Sequence, residues 1–247
     1  MLLIAAALQE ELKVALALCR NPQKARLRGV EIWSALLGKR KIHFLKTGVG
    51  PKKSSISLQR ALELLDVSQI LVIGYAGALD PRLKLGSLVA VDKALACKID
   101  KSNPAVENIK LERAFTLSSG GSFPQMEETM QLPIIPGDTL TTAHVWGSPI
   151  HKKVLREKFG ASIVDMETAS LAAVADSFGI PLHCLRAVSD EAGDSFLEPF
   201  SYDPSAGISK RAGQILRKGN PAKVFREWKC NTSVARVSLT RFLESYL

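Results

Sequence analysis

Two carboxylates, Glu167 and Asp190, stand at the ends of two apolar runs separated by one helical stretch. The first run closes in Val164-Asp165-Met166-Glu167-Thr168-Ala169-Ser170-Leu171, the second in Arg186-Ala187-Val188-Ser189-Asp190. Acids brought to one sheet edge suit general acid and base work. A third acidic position, Glu10-Glu11, follows the first apolar run of the chain. One of these carboxylates either favours the dipole at its helix start or acts as a base that activates water. Glu167 at a helix start and Asp190 after Ser189 have equally plain structural readings, as dipole partner and as cap.

The elements that must position these residues follow from periodicity. Ala161–Met166 reads as a short strand and Glu167–Phe178 as a helix. Gly179-Ile180-Pro181 stops that helix, and Leu182–Val188 is a second strand. Such a βαβ unit is expected to have parallel strands, with both carboxylates at the edge where open α/β sheets bind ligands. Further strands are expected at Leu2–Leu8, Val30–Leu37, Ile42–Thr47, Ile70–Tyr75, Gly86–Ala96 and Gly137–Thr142. Further helices are expected at Gln9–Cys19, Lys52–Leu65, Ile150–Phe159, Ala206–Arg217 and Ser233–Leu243. Their alternation points to an α/β fold, a single-domain three-layer α/β/α arrangement around a central mixed, mostly parallel sheet. Asn103–Gln131 reads as a loop-rich excursion, and Gly193–Gly207 as a loop able to cover a ligand. The α/β domain is expected over 1–206, with a basic helical extension over 207–247 packed on it.

Composition narrows the function classes. The chain has 247 residues, 46% of them hydrophobic, ample for one large core. It contains no run of about 18 uninterrupted apolar residues, so no membrane-spanning helix is expected. The apolar start lacks a preceding basic region and meets Glu10 at once, so a buried first strand is expected rather than a signal peptide. Cys19, Cys97, Cys184 and Cys230 are scattered, which suits reduced thiols in a cytoplasmic protein. The four histidines lack ligand spacing, so no metal is expected. GxGxxG, the Walker GxxxxGK[ST] and GxSxG are all absent. Thr47-Gly48-Val49-Gly50-Pro51 is either a simple strand-to-helix turn or a place where backbone amides approach a ligand. Gly74-Tyr75-Ala76-Gly77-Ala78-Leu79 is similarly a strand-end bend or a ligand platform. The net charge is +9, and Ser209–Leu247 holds nine Lys/Arg against two Asp/Glu. That tail is a helix surface in water or on the domain, or else a contact for an anionic membrane, nucleic acid or acidic partner. No recognised nucleic-acid motif accompanies it.

Taken together these segments resemble the nucleoside phosphorylase and nucleosidase superfamily, most closely the 5′-methylthioadenosine/S-adenosylhomocysteine nucleosidases. The matching pieces are Ala7-Leu8-Gln9-Glu10-Glu11-Leu12, Thr47-Gly48-Val49-Gly50, Gly74–Leu79, Leu85-Gly86-Ser87-Leu88-Val89, Val164–Glu167 and Arg186–Asp190, in the family's order. The resemblance implies an N-glycosidase in which Glu11 activates the attacking water. It implies that Glu167 holds the ribose hydroxyls, with Met166 against the sugar, and that Asp190, oriented by Ser189, serves purine N7. Tyr75, Ala76, Gly77, His144, Val145 and Asp165 complete the implied substrate-binding set. Cleavage builds oxocarbenium character on the sugar and negative charge on the base, so an acid at N7 and a carboxylate near the sugar suit the reaction. Asp190 would then carry a proton at the working pH, favoured by a partly desolvated pocket. No metal or organic cofactor is needed.

Phosphorolysis would instead need a pocket for a dianion. Purine nucleoside phosphorylases of this superfamily have a glycine-rich loop after strand one with an arginine behind it; here Ala6–Glu11 places two carboxylates there, which favours water. Tyr75 and Ala78 depart from the small-residue nucleosidase pattern. His144 falls where an aromatic ring would stack on the base. The implied partner is a small purine nucleoside, adenine-type in the leading reading, and self-association as a dimer is expected. A phosphorylase and a non-catalytic nucleoside-binding protein are the alternatives. The tail resembles the basic extension of hopanoid-associated phosphorylase-like proteins, which implies a lipid-linked adenosyl substrate. Peripheral membrane contact would then run through Phe225, Trp228, Val234, Val237, Leu239 and Phe242.

Overall fold

The computed structural model of the chain describes residues 1–38, 40–99, 105–119, 133–195 and 221–247. The first half runs β1 (Leu2–Ala6), α1 (Gln9–Ala17), β2 (Arg20–Leu27), β3 (Val30–Leu37), β4 (Arg40–Lys46), α2 (Pro51–Leu62) and β5 (Gln69–Ala78). The second runs β6 (Leu88–Lys98), a 3₁₀ turn, β7 (Lys110–Thr116), β8 (Ile134–Thr141) and α3 (Pro149–Phe159). It ends with β9 (Ile163–Asp165), α4 (Thr168–Ser177), β10 (Leu182–Asp190) and α5 (Pro221–Tyr246). Helix Ala206–Arg217 of the sequence reading, the distal part of the Gly193–Gly207 loop and the side chains of Phe225 and Trp228 lie outside the described residues.

Among the described residues the strands form one ten-stranded mixed sheet in the order β10-β6-β8-β9-β5-β1-β4-β3-β2, with β7 added on β6. A further β5–β10 pairing closes β5, β9, β8, β6 and β10 into a ring. Parallel pairing joins β1 to β4 and β5, β5 to β10, and β8 to β6 and β9. The pairs β2–β3, β3–β4, β5–β9, β6–β7 and β6–β10 are antiparallel. The sheet of the described residues is mixed, as expected, with parallel and antiparallel strand pairs in equal number.

Helix α5 starts at Pro221, well before its expected start at Ser233, and three further details differ from the sequence reading. Strand β2 is exposed along its whole length, so no apolar alternation marks it. Backbone pairing to β3, with Lys24 reaching Glu31 at 2.8 Å and the Trp33 ring, holds it in the sheet. Strand β7 lies inside the expected loop-rich excursion, with one buried residue, Phe115, in seven. The third concerns the βαβ unit. Strand β9 pairs antiparallel with β5 while β10 pairs parallel with it, so β9 and β10 run in opposite directions. The ring allows this, because α4 connects strands on opposite sides of β5 rather than neighbours in an open sheet. The carboxylates still converge, because Val164 of β9 and Asp190 of β10 both register on Gly77.

Helices α2 and α4 cover one face of the sheet, with Leu58, Ala61, Ala169, Leu171, Ala172 and Ala175 buried. Helices α1 and α5 cover the other, with Leu12, Ala15, Ala235, Leu239, Phe242 and Leu243 buried. Helix α3 closes the end through Leu155, packed near Leu79, Leu140, Trp146 and Val164. Burying each large apolar side chain contributes about 1.5–3 kcal/mol, so the core fixes β5 and β10, which carry the site. Leu239 and Phe242 are wholly buried, which removes them from the expected membrane contact; Val234 and Val237 of that set are exposed. Among the described residues no helix is long and apolar enough to cross a membrane.

Candidate active site

The end of β1 delivers Glu11, the third residue of α1. Of the Glu10-Glu11 pair, Glu10 faces solvent and Glu11 is buried. Glu11 Oε2 accepts the Leu8 N–H at 2.8 Å and so caps its own helix. Its Oε1 accepts the Tyr75 N–H at 3.0 Å, tying α1 to the end of β5. Burial pushes the Glu11 carboxyl above the usual carboxylate range, opposed by the Arg186 guanidinium and these amides. Capping and chemistry coexist here, since a carboxylate has about four acceptor sites and the two amides occupy two.

Glu167 is the N-cap residue of α4, but its side chain makes no capping hydrogen bond. Its Oε1 instead accepts the Gly50 N–H at 2.7 Å. Gly50 has φ of 92°, which an L side chain rarely adopts, and that conformation at the start of α2 turns its amide to the carboxyl. The glycine turn thus presents an amide to a site carboxylate. Burial raises the Glu167 carboxyl to about 8, with Arg186 and the Gly50 amide opposing and the negative charges of Asp165 and Glu11 adding.

Arg186 lies beneath both acids, wholly enclosed. Its Nη2 is 2.9 Å from Asp165 Oδ2, 3.9 Å from Glu167 Oε2 and 2.8 Å from Thr168 Oγ1. Burial disfavours its charge, but Asp165, Glu167 and Glu11 outweigh that and hold it cationic. Asp165 lines the cavity wall, yet its oxygens are engaged by Arg186, Thr168 and Thr141 Oγ1 at 2.7 Å. It anchors the arginine rather than presenting free acceptors to a ligand. Gly74 permits the approach, since a Cβ there would lie 2.3 Å from Arg186 Nη1 and 2.8 Å from Glu11 Oε1.

Asp190 ends β10 at a register shift opposite Gly77. A Cβ on Gly77 would stand 2.8 Å from Asp190 Oδ2, so this glycine too makes room for an acid. The Ser189 hydroxyl lies 2.9 Å from Asp190 Oδ1. On the other side Lys152 of α3 places Nζ 2.5 Å from Asp190 Oδ2 and 2.6 Å from the Glu191 carbonyl oxygen. Lys152 is fully buried. Desolvation alone was expected to govern Asp190; the structure adds a buried ammonium beside it.

A cavity of about 180 Å³ brings these groups together. Every residue singled out from the sequence lines it: Glu11, Tyr75, Ala76, Gly77, His144, Val145, Asp165, Met166, Glu167, Ser189 and Asp190. Tyr75 contributes its backbone amide to Glu11, while its ring packs toward the core under α1 and α5. The sequence reading missed Trp146, also in the wall, whose indole N–H donates to Thr142 Oγ1 at 3.0 Å. Its ring sits 6.5 Å from that of His144, and an aromatic two residues beyond His144 was the signal available. Lys152 was missed as well. Among the described residues no group of three or more His, Cys, Asp or Glu is placed to hold a metal ion.

Solved structures share this arrangement of elements. A futalosine hydrolase of Helicobacter pylori superimposes with a TM-score of 0.77 at 20% identity, covering 99% of this chain and 95% of the other. A 5′-methylthioadenosine/S-adenosylhomocysteine nucleosidase of Helicobacter pylori, complexed with a pyrrolidine-based ligand, gives 0.75 at 20% identity over 99% and 96%. The corresponding nucleosidase of Campylobacter jejuni gives 0.74 at 21% identity over 99% and 97%. At such identities the likeness concerns the fold. The family itself is settled by sequence: the Phosphorylase superfamily model matches residues 2–217, which span both glycine turns and all three converging acids, and the chain belongs to that superfamily.

Proposed function

We propose that the protein is a nucleosidase that hydrolyses the N-glycosidic bond of an adenine-type purine nucleoside carrying a 5′ substituent, such as 5′-methylthioadenosine or S-adenosylhomocysteine. One observation carries the choice of water over phosphate. Of the described residues lining the cavity, Glu11, Asp165, Glu167 and Asp190 are acidic and none is Lys or Arg. Arg186, beneath the cavity, is already engaged by Asp165. A phosphate dianion would find no cationic side chain in the cavity lining to receive it, whereas a neutral water needs none.

In this reading Glu11 takes a proton from the attacking water. Its raised proton affinity makes it a stronger base than an ordinary carboxylate. Glu167 binds the ribose hydroxyls, and Met166 packs on the sugar. The acidic cluster faces the positive charge that builds on the ring as the bond to the purine lengthens. Asp190 faces N7 of the departing base, and His144 and Trp146 form the wall beside it.

The test is release of free purine from 5′-methylthioadenosine, S-adenosylhomocysteine, futalosine, adenosine and inosine, with and without inorganic phosphate. Free base plus free sugar in phosphate-free buffer is expected. Turnover that requires phosphate would refute water as the nucleophile; no product from any nucleoside would leave a binding protein.

A lipid-linked adenosyl substrate is a second reading, favoured by one feature. A groove of about 720 Å³, lined largely by apolar groups of Ala96, Ile99, Phe115, Ala143 and Ala169, adjoins the site and shares His144 with it. A substrate with a long alkyl chain at the 5′ carbon should then outcompete the methylthio compound.

A further inference from the structure

We propose that Lys152 supplies the proton that leaves with the purine, passing it through Asp190. This rests on the nucleosidase reading above. Lys152 has no exposed surface, yet it carries an ammonium group into the molecule. Burying such a group costs several kcal/mol unless it is paired, and its partners are specific. Nζ donates to Asp190 Oδ2 at 2.5 Å and to the Glu191 carbonyl at 2.6 Å. Asp190 turns its other oxygen toward Ser189 in the cavity wall. The aspartate thus lies between a proton-rich side chain on its closed side and the cavity on its open side.

The step balances as follows. Water attacks the sugar carbon and loses a proton to Glu11. The C1′–N9 electron pair goes to the purine. Asp190, a carboxylate paired with the Lys152 ammonium, takes a proton from Lys152 Nζ and passes a proton to N7, so that it ends as the carboxylate it began as. Lys152 is left as a neutral amine, still held by the Glu191 carbonyl and Asp190. After the base departs, Asp190 takes a proton from water entering the cavity and returns it to the amine, and Glu11 releases its own. No external co-reactant is required. Because Lys152 acts through Asp190, it is a positioning and relay residue rather than a group that touches substrate.

Two substrates separate this role from a structural one. A purine nucleoside needs a proton on its leaving group; a 4-nitrophenyl riboside does not, because nitrophenolate leaves as a stable anion. Lys152→Met should slow purine release about 100-fold, the usual contribution of general acid catalysis, while nitrophenyl release falls less than about threefold. If both rates fall together, Lys152 only holds the fold; if neither falls, the proton has another source. Either result overturns the proposal. Should Lys152→Met fail to unfold cooperatively on heating, Lys152→Gln, a neutral side chain that can still donate to Asp190, is read in the same two assays. If the natural chain cleaves neither substrate, the nucleosidase reading itself falls, an outcome distinct from a natural chain that cleaves both with Lys152→Met matching it.

Discussion

Glu167→Gln tests the buried acid cluster most directly. Burial raises the Glu167 carboxyl from 4.5 to about 8. Between those values the folded chain holds a proton that the unfolded chain has lost. Stability from this group is therefore complete below about pH 4.5, falls as pH rises, and is gone above about pH 8. Inside the window the slope is about 1.36 kcal/mol per pH unit, so the natural chain loses roughly 2.7 kcal/mol between about pH 5.5 and 7.5. Glutamine has the shape of the neutral acid, keeps an oxygen for the Gly50 N–H, and cannot ionise. The slope due to Glu11, whose carboxyl is also raised, persists in both proteins and cancels in their difference. Relative to the natural chain, the variant should gain roughly 2–3 kcal/mol across that interval. For a chain of this size that is a change of roughly 5–10 °C in the Tm difference. Thermal unfolding followed by circular dichroism at three pH values in the window measures it. Two parallel curves of Tm against pH would show that Glu167 is ionised throughout, and the account of the cluster would be wrong.

Three further outcomes are expected. Gly77→Ala puts a Cβ 2.8 Å from Asp190 Oδ2, so the carboxylate must move; purine release should drop about 100-fold, as displacements near 1 Å do, with Tm changed by only a few degrees. Arg186→Leu removes the cation that Asp165 and Glu167 face, at a cost of about 3–5 kcal/mol; urea denaturation should show a larger deficit at about pH 8 than at pH 5, where protons replace the missing charge. Phe242→Ala on α5 should cost about 3–5 kcal/mol by opening a cavity in the core; a change under about 1 kcal/mol in the same denaturation assay would mean that α5 is not integral to the fold.

Much of the arrangement was legible because burial writes itself into periodicity. Strand β3 matches its expected range residue for residue, and β1, β4, β5, β8 and β10 differ only at their ends, since each buries an apolar run. Strands β2 and β7 left no such trace: one is held by backbone pairing in full exposure, the other buries a single phenylalanine. The opposed directions of β9 and β10 were not legible either. Periodicity reports which side chains are covered, but it is silent on whether a sheet closes into a ring. The site survived that error because it depends on register against β5 rather than on strand direction. Gly77 meets both flanking strands, and Gly74, earlier on the same strand, admits Glu11 and Arg186. Glycines placed where acids arrive are a signal of convergence that the acids alone do not give.

Lys152 is a residue of the site that a count of charge along the chain does not find. In His151-Lys152-Lys153 a basic run suggests a solvated helix face, and Lys153 is indeed exposed. Yet α3 buries Ser148, Lys152 and Leu155, spaced by four and three residues, along one stripe. That is the spacing of a core-facing stripe, and one of its members carries a charge. A lysine in such a position is stable only if the chain supplies an anion at the end of its reach, here the last residue of β10 on the far side of α4 in sequence. The demand runs in both directions. Asp190 at the cavity rim gains an oriented partner, and Lys152 gains the counter-charge that permits its burial. Charge counted along the chain therefore overlooked the pair, whereas charge counted on the helix stripe would have required an acid opposite it and pointed to Asp190 a second time.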